Sequence, residues 1–447
     1  MFKNLQIYKL DQKQLIKILF YIYPLVMLMP SGYINTYLAF FVICGFVHIF
    51  ANQIKIKIFL IDYIIFAFFI ISIISTIINY KDSNYIILGK SVADIRFALL
   101  FLLIRNLFYN KIIKINPFLI SSLCCVVFLS LDVLLQFTYG KDILGYPEID
   151  GRYGGVFGKE AIAGGYIQKF STFAILASFF LTFKNIKNNK LFTIFLIVIF
   201  AIGILMSLDR MPFIIYILSL LLLLILLKNY RRIFVLSISV IMCLFLTLYK
   251  NNDLINKRYS SVYNLFHITI SQIINLKDNK NKDSKNFEQK TISTGIFYYK
   301  LFTSAVEVSK DNFWIGSGTK SYHKSCIEQL LKYNKNLLCA PHPHNFYLEI
   351  LINQGIVGVI IFFTFLYFLT RNYYLNIKSS KINNSCKLLN LFFLTLLIVE
   401  LFPIRSHGSI FQTVNGTIFW FMISLISSNK WIVLSDHYQK KSKSLTY

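Results

Sequence analysis

The residues of this chain best suited to chemistry are a few arginines and histidines beside long apolar segments. Arg152 lies in the glycine-rich stretch GRYGGVFGKEAIAGGYI (151–167), which also contains Glu160. Clustered glycines let a backbone approach a ligand, and a guanidinium offers forked donors to phosphate oxygens. The stretch therefore predicts either an anion-binding loop or a turn whose glycines only ease packing.

Two further arginines lie where apolar runs meet. Arg210 occurs in SLDRMP (207–212), and Arg405 occurs in FPIRSHGSIFQTVNG (402–416). An arginine at membrane depth is costly unless it faces a partner or an aqueous cavity, which makes Arg210 a candidate functional residue. The alternatives for Arg210 are an ion pair with Asp209 or extension to lipid headgroups. Arg405 is equally compatible with a ligand contact and with a polar turn.

A histidine motif precedes another apolar run. The segment PHPHNFYLEILINQGIVG (341–358) contains His342, His344 and Asn345. An imidazole accepts a proton near neutral pH, so His344 is a candidate general base for a hydroxyl. Two histidines can also bind a metal, but no cysteine or carboxylate completes a recognisable ligand spacing nearby, and no metal is expected.

The elements that must position these residues are helices in a lipid bilayer. The 447 residues are 56% hydrophobic and have a mean hydropathy of +0.59. A soluble domain of this length cannot bury so much apolar surface. Apolar runs long enough to cross a bilayer recur along the chain, and the sequence predicts an all-α integral membrane protein with about twelve transmembrane helices.

The distribution of basic residues predicts the orientation of these helices. The net charge of +26 would suit a nucleic-acid-binding protein, but the Lys and Arg residues outside the large loop are concentrated in alternate connections between apolar runs and at the two termini. By the positive-inside rule, both termini are cytoplasmic, and the candidate residues face the outer side of a bacterial inner membrane. Anionic membrane lipid is a sufficient partner for this charge, and no nucleic acid is expected.

The predicted organisation has four parts. They are residues 1–249 with helices 1–9 and a periplasmic loop at 138–163, residues 250–344 as a large periplasmic loop between helices 9 and 10, residues 345–430 with helices 10–12, and a cytoplasmic tail at 431–447. Within the large loop, residues 293–314 have the apolar spacing of an amphipathic helix. Residues 276–290 are polar and without periodicity, which predicts a disordered insertion.

Two of the seven cysteines, Cys326 and Cys339, fall in this large loop. If that compartment is oxidising, we expect a disulfide between them. The other five lie in or beside apolar runs, where a thiol packs as a small apolar group.

In order and placement, these motifs resemble the O-antigen ligase and polymerase family of bacterial envelope glycosyltransferases. The resemblance is carried by R-x-x-G-x-F-G-x-E (152–160), Arg210, D-N-x-x-x-G-x-G (311–318), H-x-H-N-x-Y-L-E (342–349) and G-x-x-G (355–358). It implies inverting, metal-independent transfer of a glycan from polyprenyl diphosphate to an acceptor hydroxyl at the periplasmic face, with no cofactor. The acceptor is lipid A-core in a ligase and a carrier-linked glycan in a polymerase.

The resemblance also implies residue roles. Arg210 is the expected principal contact of the donor diphosphate, Arg152 is a second contact, and His344 orients or deprotonates the acceptor hydroxyl. Supporting roles fall to Glu160, His342, Asn345 and Arg405. Family members carry an arginine on the helix before the D-N-x-x-x-G-x-G turn, where this chain has Lys300. Lys300 or Arg258, which comes earlier in the same loop, is expected to replace that arginine.

A transporter or flippase for a lipid-linked substrate is the competing class. Its signature is broken mid-membrane helices, functional charges near the bilayer centre and access from both sides. The candidate residues here lie on one predicted side of the membrane, which favours chemistry at a surface.

Overall fold

The protein is all-helical in the part that the structure, a computed structural model, describes: residues 11–79, 85–158, 160, 162–182, 189–260, 294–333, 336–379, 384–403 and 408–432. The helices are α1 (Gln12–Tyr21), α2 (Tyr23–Val26), α3 (Ser31–Ala51), α4 (Leu60–Ile78), α5 (Tyr85–Ala93), α6 (Ile95–Tyr109), α7 (Ile115–Tyr139), α8 (Ala163–Thr182), α9 (Asn189–Met206), α10 (Arg210–Leu226), α11 (Arg231–Asn251), α12 (Thr294–Ser309), α13 (Tyr322–Tyr333), α14 (Phe346–Ser379), α15 (Asn384–Glu400) and α16 (Thr413–Ser427). The described residues form no strand, so the predicted helical class is confirmed.

Several helices have the length and composition of membrane spans, as the apolar runs predict. Five are long and apolar enough to cross a bilayer: Ser31–Ala51, Leu60–Ile78, Ile115–Tyr139, Lys228–Asn251 and Phe346–Leu375. On α3, Ile43 and Phe50 expose 61% and 67% of their surface, as expected of side chains that face lipid. A helix suits this solvent because it satisfies its own backbone hydrogen bonds. The count of about twelve spans stays a prediction.

Chain direction gives the bundle two ends. Arg105, near the end of α6, is ion-paired with Asp62, near the start of α4, and α7 follows α6 after a short connection. The start of α7 therefore lies at the same end as that pair. Its 25 residues cross the bundle and end at Gly140, whose left-handed φ of 80° terminates the helix. The far end, which we call the loop end, contains the ends of α4, α7 and α9 and the beginnings of α8, α10 and α14.

Aromatic packing joins helices that are distant in the sequence. Tyr23 of α2 stacks on Phe421 of α16 with ring centroids 3.5 Å apart. Its hydroxyl donates to the carbonyl of Thr417 at 3.0 Å, so the polar atom of this buried ring is satisfied. Helices near the two ends of the described chain thus share one core.

Helix α14 is broken near its start. Gly355 has φ 66° and ψ −166°, which interrupts the helical ladder. The turn at 313–318 supplies the missing partners: the N–H groups of Ile356 and Val357 donate to the carbonyls of Phe313 and Trp314, and the N–H groups of Ser317 and Gly318 donate to those of Ile352 and Asn353. Protein groups therefore satisfy the break, as a membrane interior requires.

Glycines make this contact possible. A Cβ atom on Gly316 would lie 2.4 Å from the Gln354 nitrogen, and one on Gly355 would lie 2.3 Å from the Trp314 carbonyl oxygen. Both residues also have positive φ angles, which other residues rarely adopt. The D-N-x-x-x-G-x-G and G-x-x-G motifs, far apart in sequence, are thus two halves of one contact.

The large loop has a small core of its own, formed by Leu301, Ala305, Val308, Tyr322, Cys326 and Ile352. It packs α12 and α13 against α14, and α12 lies where the amphipathic helix is predicted. Cys326 and Cys339 form a disulfide with Cα atoms 5.5 Å apart, which confirms that hypothesis. The predicted insertion at 276–290 and residues 433–447 of the predicted tail lie outside the described residues.

Candidate functional site

The loop that carries Arg152 is tied to the end of α7 by two side chains on one helix face. Asp132 accepts hydrogen bonds from the backbone N–H groups of Ile143 and Val156, each at 2.9 Å. Gln136, one turn further, accepts the N–H of Gly155 at 2.8 Å. A Cβ atom on Gly155 would lie 2.7 Å from Asp132 Oδ2, so this position needs glycine. The glycine-rich stretch is therefore a rigid loop held by buried polar groups.

A strained corner between α9 and α10 meets this loop. Leu208 has φ 59°, a left-handed conformation that is costly for a bulky residue. The carbonyl of Ser207 accepts the N–H of Tyr153 at 3.3 Å, and the carbonyl of Leu208 accepts Nε–H of Arg258 at 3.3 Å. Gly164 at the start of α8 packs so closely that a Cβ would lie 2.5 Å from Ser207 Oγ. Three separate chain segments thus converge on this corner.

Their convergence brings together Arg152, Arg210 and Arg258 around Asp209, and we call these residues the arginine cluster. Nη1 of Arg152 lies 3.7 Å from Oδ1 of Asp209, and the same carboxylate interacts electrostatically with Arg210 and Arg258. The Asp209 side chain is 11% exposed, whereas that of Arg152 is 43% exposed. Burial raises the pKa of Asp209 to about 6, although the arginines oppose this shift.

Positive charge exceeds negative charge in this cluster. Three guanidinium groups face one carboxylate, and burial together with repulsion by Arg210 and Arg152 lowers the pKa of Arg258. Nε of Arg152 is buried without a hydrogen-bond partner among the described residues. Such an arrangement costs free energy unless an anion joins it, so the cluster is suited to binding a polyanion.

The second group of candidate residues, His342, His344 and Asn345, lies immediately before α14, and we call it the histidine group. The two imidazole rings lie 4.0 Å apart, and His344 has a left-handed φ of 51°. Burial lowers the pKa of His342, and burial with His342 beside it lowers the pKa of His344 to about 4. Both rings are therefore neutral at pH 7 and able to accept a proton.

Asn345 fixes the start of α14. Its Oδ1 accepts the N–H groups of Tyr347 and Leu348 at 3.0 and 3.2 Å, which caps the helix. Its Nδ2 donates to the carbonyl of Pro403 at 2.8 Å, and the Tyr347 hydroxyl donates to the carbonyl of Leu401 at 2.7 Å. The segment after α15 thus holds the half-helix that follows His344.

The other residues predicted to belong to the site are part of neither the arginine cluster nor the histidine group. Lys300 on α12 donates a hydrogen bond to Oδ1 of Asn336, within the large loop. Glu160 is exposed, and its backbone connects the loop to the start of α8. Arg405 lies outside the described residues. The structure therefore joins Arg152 and Arg210 with Arg258, and it gives Lys300 a different partner.

The sequence alone did not identify several residues that position the site. Asp209 was considered only as a partner of Arg210, and Gln136 was not considered, although its spacing of four from Asp132 puts both on one helix face. Lys169 on α8 is 9% exposed and donates to Asn415 Oδ1 at 3.2 Å. The signal for Lys169 was its position inside an apolar run, where an ionisable residue is unusual.

Both groups lie at the loop end and differ in chemistry. The arginine cluster has the chemistry to bind negative charge, whereas the neutral histidines have ring nitrogens that can accept a proton. Among the described residues, no three His, Cys, Asp or Glu side chains converge in a way that would hold a metal ion.

Residues 195–363 match the family model described as O-Antigen ligase. The matched segment includes Arg210, Arg258, the turn at 311–318 and the histidine group. No curated protein matches the chain. Residues 195–363 are therefore similar to the O-antigen ligase family, in agreement with the resemblance that the sequence motifs indicate.

Proposed function

We propose that the protein is an O-antigen ligase that transfers a glycan from polyprenyl diphosphate to an acceptor hydroxyl at the periplasmic face of the inner membrane. Family members are membrane enzymes of the glycosyltransferase type, and the family implies lipid-linked glycan and lipid A-core substrates. The observation that carries the proposal is the arginine cluster, a site of excess positive charge at one end of a membrane bundle. The positive-inside distribution of basic residues supports a periplasmic location for that end.

The arginine cluster supplies the electrostatic part of the reaction. As the anomeric C–O bond breaks, its electron pair leaves with the diphosphate, which gains negative charge. Fixed arginines stabilise this developing charge more than they stabilise the ground state. Arg210 is the principal contact, and Arg152 offers an unpaired Nε–H and an exposed guanidinium. The strained corner at Leu208 keeps Arg210 in place.

His344 acts on the acceptor. The acceptor oxygen forms a bond to the anomeric carbon on the face opposite the leaving diphosphate, and its proton passes to the imidazole. The configuration at the anomeric carbon is therefore inverted. The lowered pKa keeps His344 unprotonated at neutral pH but makes it a weak base, so it orients the acceptor hydroxyl first and takes the proton as the new C–O bond forms. His342 and Asn345 are positioning residues, and Glu160 and Arg405 are proposed as supporting contacts.

Arg258 is the better placed replacement for the arginine that family members carry before the D-N-x-x-x-G-x-G turn. It shares the electrostatic surroundings of Asp209 with Arg152 and Arg210. Lys300 is bonded to Asn336 instead. A guanidinium also offers two parallel donors to a phosphate, whereas an ammonium acts as a point charge.

Two alternative functions remain to be compared with the ligase proposal. A polymerase of the same family uses this donor chemistry and transfers the glycan to a carrier-linked repeat unit. A flippase or transporter predicts broken helices around a substrate path, and α14 is broken at Gly355. The turn at 313–318 fills that break, however, which favours a structural role for it.

Reconstitution tests the proposal directly. Purified protein in liposomes receives a polyprenyl-diphosphate glycan and either lipid A-core or a second carrier-linked glycan, in the presence of a chelator. We expect release of polyprenyl diphosphate and a glycosylated lipid A-core without added metal. Product only with the carrier-linked acceptor would identify a polymerase. Movement of the intact donor across the bilayer without bond cleavage would overturn the proposal.

A further inference from the structure

A polar cavity of about 110 Å³ lies at the loop end, on elements other than those of the arginine cluster. Its walls come from α4, α5, the turn after residue 312 and the first turns of α13. They include Asn79, Ser317, Lys320, Ser321, Lys324 and Ser325. The space exceeds the roughly 10–15 Å³ that one water molecule needs, so it admits a ligand of several heavy atoms.

The floor of this cavity is preformed. Thr76 Oγ1 accepts the N–H of Thr319 at 3.0 Å, and Asn79 Nδ2 donates to the carbonyl of Gly316 at 2.8 Å. A Cβ atom on Gly318 would lie 2.9 Å from Thr76 Cα, so the turn sits directly on α4. A ligand entering the cavity therefore meets a surface that needs no rearrangement.

The walls combine positive charge with hydroxyl groups. Neither Lys320 nor Lys324 forms an ion pair among the described residues, and Glu328 is the one acid in the described wall. Ser321 Oγ is buried and has no hydrogen-bond partner among the residues that the structure describes. Flexible ammonium groups bind a single negative charge, and serine hydroxyls pair with the hydroxyls of a sugar.

This cavity adjoins the half-helix that begins after His344. Lys320, which lines the cavity, also interacts electrostatically with buried Glu349 in the first turn of α14. The N–H groups of Ser317 and Gly318 bind the carbonyls of Ile352 and Asn353 in the same half-helix. The turn that lines the cavity is therefore bonded to the half-helix that follows the histidine group.

We propose that this cavity is the acceptor subsite and that it binds a negatively charged sugar residue of the acceptor glycan. The proposal rests on the glycosyl transfer proposed above. It assigns the donor diphosphate to the arginine cluster and the acceptor to a second cationic site of lower charge density. An acidic saccharide with a single negative charge then binds at the two lysines. It therefore competes less well with the donor diphosphate for the arginine cluster.

The test is a binding measurement on the full-length protein in nanodiscs of neutral lipid. The probes are an oligosaccharide with one uronic acid residue and the same oligosaccharide with its carboxyl group reduced to an alcohol. We expect the acidic probe to bind at least tenfold more tightly. The double variant Lys320→Gln, Lys324→Gln should lose this preference, whereas Lys332→Gln, an exposed site further along α13, should retain it. Equal binding of both probes by the unmodified protein, or an unchanged preference in the double variant, would overturn the proposal.

Inorganic phosphate and nanodiscs containing anionic lipid distinguish a lipid headgroup from a saccharide. If either abolishes the preference for the acidic probe at equimolar concentration, the cavity is a headgroup site and the proposal fails.

Kinetics separate this proposal from the proposed function. With active protein, the double variant should raise the acceptor KM about tenfold and leave kcat and donor affinity unchanged. An unchanged acceptor KM would refute the acceptor subsite alone. The protein could instead transfer no glycan and still bind the acidic probe through the two lysines. That result would refute the proposed function but support the cavity as a binding site for an acidic sugar.

Discussion

The two ends of the bundle hold arginines in opposite ways. At the end opposite the loop end, Arg105 is ion-paired with Asp62, and the two side chains are 4% and 0% exposed. Its guanidinium also lies over the rings of Phe59 and Trp431, 4.7 and 5.4 Å from their centroids. At the loop end, three guanidinium groups share Asp209, and the Arg152 side chain is 43% exposed.

The contrast separates a structural arginine from arginines available to a ligand. Arg105 has one acid and aromatic faces of its own, so its charge is compensated within the fold, although its Nε, like that of Arg152, has no hydrogen-bond partner among the described residues. In the arginine cluster the charge is only partly compensated, and the backbone that holds it is strained at Leu208. The buried one-to-one ion pair lies at one end of the bundle, and the three arginines that share one carboxylate lie at the other.

Removal of one arginine from each end of the bundle tests most directly whether the two arginine environments have different roles. Arg210→Ala should reduce glycan transfer by about 10³-fold, because a fixed donor to the developing diphosphate charge is lost. Its thermal unfolding in detergent should stay close to that of the unmodified protein. Arg105→Ala should instead destabilise the fold by about 3–5 kcal/mol, because Asp62 is left buried and unpaired. Near-normal glycan transfer by Arg210→Ala would show that the loop-end arginine is not needed for the reaction, and the distinction between structural and ligand-binding arginines would fail.

A pair of histidines extends the comparison. His344→Ala should lower kcat about 10²-fold with little change in donor affinity, because a proton acceptor is lost. His48, buried in α3 and in contact with Asn52 Nδ2 at 3.0 Å, is the structural counterpart. His48→Ala should change the melting temperature more than kcat of the remaining folded protein. Unchanged turnover in His344→Ala would assign that histidine to structure.

The third arginine of the cluster can be tested against Lys300. Arg258→Ala should weaken donor binding by about tenfold, the effect of losing one hydrogen bond to a charged group. Lys300→Ala should leave donor binding nearly unchanged, because that side chain bonds to Asn336. The reverse ranking, measured as donor dissociation constants, would return the diphosphate role to Lys300.

The smallest expected effect is a pH dependence of donor binding. Burial raises the pKa of Asp209 to about 6, so this carboxylate takes up a proton as the pH falls from 7 to 5. The cluster then loses its one negative charge, and donor binding should tighten by about threefold, the size of a partly screened ion pair. Asp209→Asn should bind with the tighter affinity at both pH values, while Asp62→Asn should keep the pH dependence.

Much of the fold could be predicted because its signals are local. Long apolar runs indicate helices in lipid, and two cysteines thirteen residues apart in the same loop indicated their disulfide. The family resemblance also rested on short motifs, and the O-antigen ligase match at 195–363 confirms the family that they indicated. Each of these signals is contained in a few neighbouring residues.

The arginine cluster depends on contacts between distant segments, which no local pattern reveals. Arg152, Arg210 and Arg258 come from three separate connections, and only their packing around Asp209 brings them together. Likewise, the break in α14 arises from hydrogen bonds to a turn some forty residues earlier. The clustered glycines at 151–167 indicated a backbone that allows close approach, but not which segments of the chain it meets.

The break in α14 constrains the order in which the chain assembles in the bilayer. Four backbone groups around Gly355 reach their partners only when residues 313–318 have already folded beside them. Until then, those groups would enter hydrocarbon unpaired, at several kcal/mol each. The first two turns of this span must therefore wait at the membrane surface during biogenesis, and a truncation that removes the turn would stall insertion of every helix that follows.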